Sequence, residues 1–302
     1  MKIAITGGTG FVGKQVTDQL VKQNHEVYIL TRSPDNYHDT NEVTYVGWLR
    51  ENDQPSKKLP ALDAIVNLAG DSLFGYWTKN KKRRILQSRL TATENVIHLI
   101  KTMEIKPKVL VNASAIGYYG TSTSDFYTEK NATAGNDFLA HVTEKWEQTA
   151  SAAESFGVRT VYARFGIILG TEGALPLMTL PFKLMVGGKV GSGEQWMSWI
   201  HIQDVVGLII FAIENNQISG PLNITTPTPI KNKEFTMTIA KVLKRPNLIT
   251  APSFAIKTIL GEMSILVLKG QHVTPEKAVA QKYPFYFTHL DHALRDIYQS
   301  KD

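Results

Sequence analysis

Residues 2–13 read KIAITGGTGFVG. The run KIAIT over 2–6 suits a short strand buried on both faces. It stops at glycines, and Gly7, Gly10 and Gly13 stand in the spacing G-x-x-G-x-x-G. Val12, Val16, Leu20 and Val21 then recur at helical spacing. In a strand, turn and helix each glycine has its own task. Gly7 permits the sharp turn, Gly10 lets the backbone approach a diphosphate, and Gly13 lets the helix pack closely on the sheet. The helix N-terminus offers unpaired N–H groups, here from Phe11 and Val12, and Thr9 adds a further donor. The stretch predicts a dinucleotide site in a Rossmann-type α/β domain.

Working outward, the same alternation continues. EVYILT (26–31), VTYV (43–46), AIVNLA (64–69), KVLVNAS (108–114) and RTVYAR (159–164) read as strands two to six. A long helix separates the fourth and fifth, with Ile85, Leu86, Leu90, Val96, Ile97 and Ile100 on its apolar face, and another covers about 137–156. Strands alternating with helices imply right-handed βαβ units and a doubly wound parallel sheet. After Gly170 glycine and proline punctuate a short apolar helix in LPFKLMVGG (180–188). A helix over 204–215, a strand at 221–225 (PLNIT), a helix over 232–244 and a strand LITAP (248–252) are expected next. The predicted division is a Rossmann domain over 1–170, with 199–226 returning to it, and a smaller C-terminal substrate lobe over 227–302, to which 171–198 contribute.

The second strand ends at Thr31 and Arg32. A site for NAD usually places an acidic residue here, on the ribose hydroxyls. Positions 30–33 hold none, whereas Arg32 can pair with a 2′-phosphate and Thr31 and Ser33 can hydrogen-bond to it. The expected cofactor is therefore NADP(H). Leu68, Ala69 and Gly70 close the fourth strand, the last two leaving room for the adenosine side of the cofactor.

Composition narrows the remaining choices. The 302 residues are 43% hydrophobic and 20% charged, ordinary for a globular protein, and the absence of cysteine excludes disulfides and thiolate chemistry. No apolar run approaches the roughly 18 residues of a membrane span. The N-terminus enters a strand at once rather than a signal peptide, so the expected location is cytoplasmic, with no membrane partner. Much of the net charge of +6 comes from Lys79, Lys81, Lys82, Arg83 and Arg84. No stacking-aromatic pattern accompanies that run, so it reads as a solvated helix start rather than a nucleic-acid site. No His, Asp and Glu set has metal-ligand spacing.

TGGTGFVG (6–13), NLAG (67–70) and YYG (118–120) resemble the extended short-chain dehydrogenase/reductase superfamily. SRLTAT (88–93), ASAIGYYG (113–120), DFLAHVTEKWE (137–147), RFGIILG (164–170), GSGEQWMSWIHIQD (191–204) and GQHVTP (270–275) narrow it. They resemble the epimerase-like subfamily with a C-terminal domain of unknown function, over essentially the whole chain. The resemblance implies a nucleotide-sugar-epimerase-like fold, nicotinamide chemistry and homodimers as a common assembly.

The superfamily's proton relay uses Tyr and Lys four residues apart on one helix, plus a Ser or Thr. Aligning Glu147 with the glutamate that follows that motif puts Leu139 and Thr143 at the relay positions, and a shift by one puts Phe138 and Val142 there. Neither frame supplies a phenol or an ammonium. Ser114 and Tyr119 are the substitute catalytic candidates, although one frame places Ala115 at the serine position. Tyr118 and His141 are further substitutes. Arg164, ending the sixth strand, and Arg89, on the long helix, can contact cofactor or substrate or can form structural pairs. Gln195, Trp196, Trp199 and His201 can line the substrate crevice. Asp204 reads as a helix N-cap, and 270–287 as the segment closing the far side of the cleft.

Two functions remain. One is an NADP(H)-dependent oxidoreductase or epimerase acting on a small polar, sugar-like substrate with atypical proton-transfer groups. The other is a non-catalytic NADP(H)-binding module that regulates a partner. The missing relay favours the second and the crevice motif of 191–204 favours the first.

Overall fold

The computed structural model describes residues 1–131 and 133–299. The main sheet has seven strands: β1 Lys2–Thr6, β2 Glu26–Thr31, β3 Val43–Gly47, β4 Ala64–Asn67, β5 Val109–Ala115, β6 Arg159–Phe165 and β7 Gly220–Ile224. All pairs are parallel, in the spatial order β7-β6-β5-β4-β1-β2-β3. The chain runs outward from β1 to β3 and then crosses back to β4. The C-terminal ends of β1 and β4 therefore frame the crevice at which open α/β sheets bind ligands. This is the Rossmann-like architecture expected from the sequence.

Helices of eight or more residues among the described residues are α1 Phe11–Lys22, α2 Lys79–Thr102, α3 Phe138–Ala150, α4 Leu175–Lys183, α5 Ile202–Glu214, α6 Asn232–Leu243, α7 Ser253–Leu260 and α8 Leu290–Gln299. Alternate strand residues serve opposite faces. Ile3, Ile5, Val27, Ile29, Val66 and Val111 pack under α1 and α5. Ala4, Leu30, Ile65 and Leu110 meet Ala92, Val96 and Ile100 of α2 on the other side. None of the described helices is long and apolar enough to cross a membrane.

A polar chain runs across the middle of this apolar sheet. Thr6 Oγ1 donates to Asn67 Oδ1 at 2.6 Å, and Asn67 Nδ2 donates to Asn112 Oδ1 at 2.6 Å and to Thr93 Oγ1 at 3.0 Å. Trp146 Nε1 also donates to Thr93 Oγ1, at 2.9 Å. All these groups are buried, and each is paired, as the low dielectric demands.

Several elements differ from the sequence reading. The apolar helix expected in 180–188 lies earlier, at α4 Leu175–Lys183, with Pro176 in its first turn. LITAP is not a strand; Ala251 makes only an isolated bridge with Val190. The helix over 137–156 is α-helical to Ala150 and continues as 3-10 turns over Ser151–Phe156. The cap of α5 is His201, whose Nδ1 accepts from the Gln203 amide at 3.2 Å, and not Asp204. Asp204, in the first turn of the helix, is fully buried and accepts from the amides of Tyr286 (2.8 Å) and Phe287 (2.9 Å). The 270–287 segment reaches two separate places. His272–Val273 pair with Phe126–Tyr127, while Tyr283 packs on α5, where a Cβ on Gly207 would sit 2.0 Å from its hydroxyl.

Candidate functional site

The glycine turn has three different environments. Gly7 has φ +68, and a Cβ there would meet the Leu68 carbonyl carbon and oxygen at 2.9 Å. A Cβ on Gly13 would sit 2.2 Å from Gly7 O and 2.6 Å from Gly8 Cα. Both glycines are required by the protein's own packing. A Cβ on Gly10 would meet only Gly7 O, at 3.3 Å. Gly10 caps α1 without a side-chain hydrogen bond, and no acidic residue occupies the first turn. The first amides of α1, from Phe11 and Val12, thus keep the donor capacity and positive dipole end that suit a diphosphate. Thr9 is half-buried at the tip of the turn. The Phe11 ring lies under the loop after β6, where Cβ atoms on Gly170 and Gly173 would approach it to 2.5 and 3.4 Å.

Neighbouring segments meet this turn. The Leu68 amide donates to Thr6 O at 3.1 Å, and that of Ala69 to Thr6 Oγ1 at 3.3 Å. Gly70 faces Arg89, whose guanidinium carbon would be 3.3 Å from a Cβ there. Arg89 Nη1 donates to the carbonyls of Asp71 (3.1 Å) and Ile85 (2.9 Å), its guanidinium lies 5.0 Å from the centre of the Trp146 ring, and burial lowers its pKa to about 10. At the end of β2, Thr31 Oγ1 accepts from the Ser33 amide at 3.3 Å, and Arg32 is exposed. Arg50, which sequence reasoning missed, donates from Nε to the Arg32 carbonyl and pairs with Asp35 at 3.3 Å. Two exposed guanidinium groups therefore stand beyond β2 and β3. Arg50 carries no motif, since only the β2–β3 pairing brings it there.

The relay region holds no relay. Leu139 lies against the turn after β5, where a Cβ on Gly117 would be 3.2 Å from its own Cβ. It packs in an apolar cluster with Trp77, Phe138 and Val142, joined by Met263, Ile265 and Leu266 from near the C-terminus. Thr143 turns its hydroxyl back onto the Leu139 and Ala140 carbonyls, at 2.9 Å each. His141 and Lys145 are exposed, Lys145 bonding to Gln148 at 3.2 Å.

The substitute candidates are buried and engaged. Ser114 is 2% exposed and donates to Glu147 Oε1 at 2.6 Å. Glu147 also receives Arg164 Nε and Nη2, at 2.8 and 2.7 Å. The Arg164 guanidinium stacks 3.5 Å from the Tyr118 ring centre and 4.9 Å from that of Tyr119. Tyr119 is 3% exposed and donates to Asn223 Oδ1 at 2.8 Å, and burial pushes its pKa up, away from what a proton acceptor needs. Glu129, also missed, accepts from the Asn223 amide (2.9 Å) and the Lys277 amide (3.2 Å), and burial raises its pKa.

The four residues expected to line the crevice separate. Gln195 is buried and clamps the carbonyls of Val190 (3.1 Å) and Val267 (3.0 Å). Trp199 has no exposed surface and sits in an apolar cluster with Leu169, Leu175, Phe182 and Phe235. His201 is 1% exposed against Phe287, with ring centres 3.9 Å apart and Nε2 3.3 Å from Asp296 Oδ2. Trp196 alone keeps an open side, edge-on to His272 at 4.5 Å and near Phe126. Trp199 and His201 are thus core residues in this structure, and Gln195 ties backbone segments together. Among the described residues no His, Asp and Glu group could hold a metal ion.

The model of the NAD dependent epimerase/dehydratase family matches residues 3–225. This chain belongs to that family. Residues 251–297 match a domain of unknown function, DUF1731. The epimerase family protein YfhF of Bacillus subtilis is 48% identical over 297 residues, covering 98% of both chains. The human epimerase family protein SDR39U1, solved with NADPH, is 31% identical with a TM-score of 0.85, covering 98% of this chain and 99% of that one. A nucleoside-diphosphate sugar epimerase from Corynebacterium glutamicum is 30% identical with a TM-score of 0.78, over 98% of this chain and 58% of that one. These findings agree with the family read from the glycine turn, NLAG and the C-terminal motifs.

Proposed function

We propose that this family member binds NADP(H) and works as an oxidoreductase or epimerase on a small polar, sugar-like substrate, moving protons without the usual tyrosine and lysine. One observation carries the cofactor reading. Internal packing demands glycine at 7 and 13 far more strongly than at 10, where a Cβ would press on a single backbone oxygen at 3.3 Å. A diphosphate drawn against the α1 N-terminus explains the glycine at 10, since a side chain would fill that cradle. Arg32 supports the choice of NADP(H): its side chain makes no hydrogen bond or ion pair among the described residues, and Arg50 stands beside it. The human relative solved with NADPH supports it too. The nicotinamide would supply hydride transfer, while the chain's own residues hold and orient it.

A second reading keeps the cofactor and drops the turnover, leaving an NADP(H)-binding regulatory module. Leu139 and Thr143, apolar-packed and backbone-bonded where the relay belongs, favour it. The test has two stages. Calorimetric titration with NADPH and NADH is expected to give tighter binding of NADPH; no response to either removes both readings. A panel of nucleotide sugars and carbonyl compounds is then screened for change in NADPH absorbance. Turnover supports the enzyme, and binding with no turnover across the panel supports the module.

A further inference from the structure

The C-terminal lobe carries an unusual surface. Two backbone segments meet there: the amides of Leu248 and Ile249 both donate to Gly187 O, at 3.0 and 3.2 Å, and the Ala251 amide to Lys189 O at 2.9 Å. The joined tip presents Leu184, Met185, Val186, Leu248 and Ile249, which are 63, 55, 49, 84 and 52% exposed. More than half of the large apolar side chains exposed among the described residues fall within 173–193 and 235–261. Neither stretch contains an Asp or Glu. Their charges are all positive, and Lys183, Lys189, Lys244 and Arg245 are exposed; Lys241, also exposed, lies 3.9 Å from Asp291 Oδ1.

The backbone adds an independent sign. α4 and α6 both end in the turn where glycine is the usual residue, because the position after the helix is left-handed. At the end of α4 the amides of Met185 and Val186 donate to Phe182 O and Pro181 O, at 3.0 and 2.9 Å, and at the end of α6 that of Arg245 donates to Ala240 O at 2.9 Å. The left-handed residues are Met185 (φ 65) and Lys244 (φ 52). A side chain there is strained, yet one position projects an apolar chain and the other a cation from the same tip.

We propose that this tip is a peripheral docking surface for an anionic lipid bilayer, with the five apolar side chains entering the headgroup boundary and the lysines and Arg245 against lipid phosphates. Apolar insertion and cationic attraction reinforce each other at such a surface. The sequence argued against membrane contact from the absence of a spanning run, but a surface contact needs none. The site is distant in chemistry from the dinucleotide turn and does not depend on its cofactor.

The full chain is centrifuged with vesicles of phosphatidylcholine alone and with one third phosphatidylglycerol, at low and high salt. Binding is expected only to the anionic vesicles, weakening with salt. Lys244→Glu/Arg245→Glu is expected to bind at least about tenfold more weakly. Met185→Gly/Lys244→Gly guards against misfolding, because it relieves strain: it is expected to raise the thermal midpoint yet lower vesicle binding several-fold. No sedimentation with either vesicle, or equal sedimentation with both, overturns the proposal. So does a dimer in sedimentation equilibrium that the same substitutions dissociate, since the tip would then meet a second copy.

Discussion

The Arg164 guanidinium grips the Glu147 carboxylate through two hydrogen bonds of 2.8 and 2.7 Å, with both side chains under one tenth exposed. Strand β6 and helix α3 are thereby fixed to each other beneath the turn that carries Tyr118 and Tyr119. Removing one partner strands a buried charge. Glu147→Ala is expected to lower stability by about 3–5 kcal/mol, measured by urea unfolding. Ser114→Ala loses one hydrogen bond and leaves the ion pair intact, so about 1 kcal/mol is expected, with NADPH affinity unchanged. A large loss of NADPH affinity in Ser114→Ala would instead give that hydroxyl a part in the site.

The glycines of the turn separate binding from folding. Gly13→Ala places a methyl group 2.2 Å from Gly7 O and is expected to cost at least about 1–3 kcal/mol of stability. Gly10→Val brings its Cβ to 3.3 Å from one backbone oxygen, a far milder contact than at Gly13, and keeps an extended cap conformation of φ −86. Its thermal midpoint is expected to stay close to the parent's while binding of either dinucleotide disappears. Retained binding would mean that the diphosphate sits elsewhere.

Arg32→Ala is expected to weaken NADPH binding roughly tenfold or more, from a charge-assisted bond worth about 1.5–3 kcal/mol, and to leave NADH binding unchanged. Arg50→Ala would act only through Arg32, by releasing its carbonyl, and a smaller loss is expected. Calorimetry with both coenzymes reads all three effects, and equal NADPH affinity in Arg32→Ala and parent would remove the basis for the cofactor preference.

His201 gives the chain an acid sensitivity. Burial lowers its pKa from 6.5 to about 4, against the opposing pull of Asp296. The unfolded chain therefore takes up the proton first as pH falls. Stability is full above about pH 6.5 and declines toward pH 4, by about 3 kcal/mol from this group. His201→Asn keeps a cap acceptor for Gln203 and has nothing to titrate, so its urea midpoint is expected to vary less across that interval. An unchanged pH profile would assign the acid sensitivity to other groups.

The Rossmann-like strand, turn and helix were readable because their signals are local. KIAIT, the glycine spacing and Val16 with Leu20 change from strand to helix period within twenty residues, and tertiary packing has only to accept them. Residues 175–252 were harder for physical reasons. LPLMTLPFKLMV is apolar except for Thr179 and Lys183, so no clear period marks where α4 begins, and the first-turn Pro176 sets the start. LITAP has strand-forming residues but no sheet edge to join beyond one bridge. At the site, Trp199 and His201 looked like lining because glycines and polar residues surround them. Their burial comes from Phe235, Phe287 and Asp296, far along the chain and invisible to any short window. Arg50 was missed for the same reason, and the loss of the relay was legible because it is a matter of residue identity alone.

The hydrogen-bonded line from Thr6 through Asn67 to Asn112 joins β1, β4 and β5 at one level of the sheet. A one-residue slip of any of these strands would turn its amide or hydroxyl toward the opposite layer and orphan its neighbours in hydrocarbon. The wrong alignments are thus penalised during assembly, before any cofactor arrives. Since the glycine turn hangs directly from Thr6 and the NLAG segment from Asn67, the two rims of the crevice inherit their height from this built-in gauge.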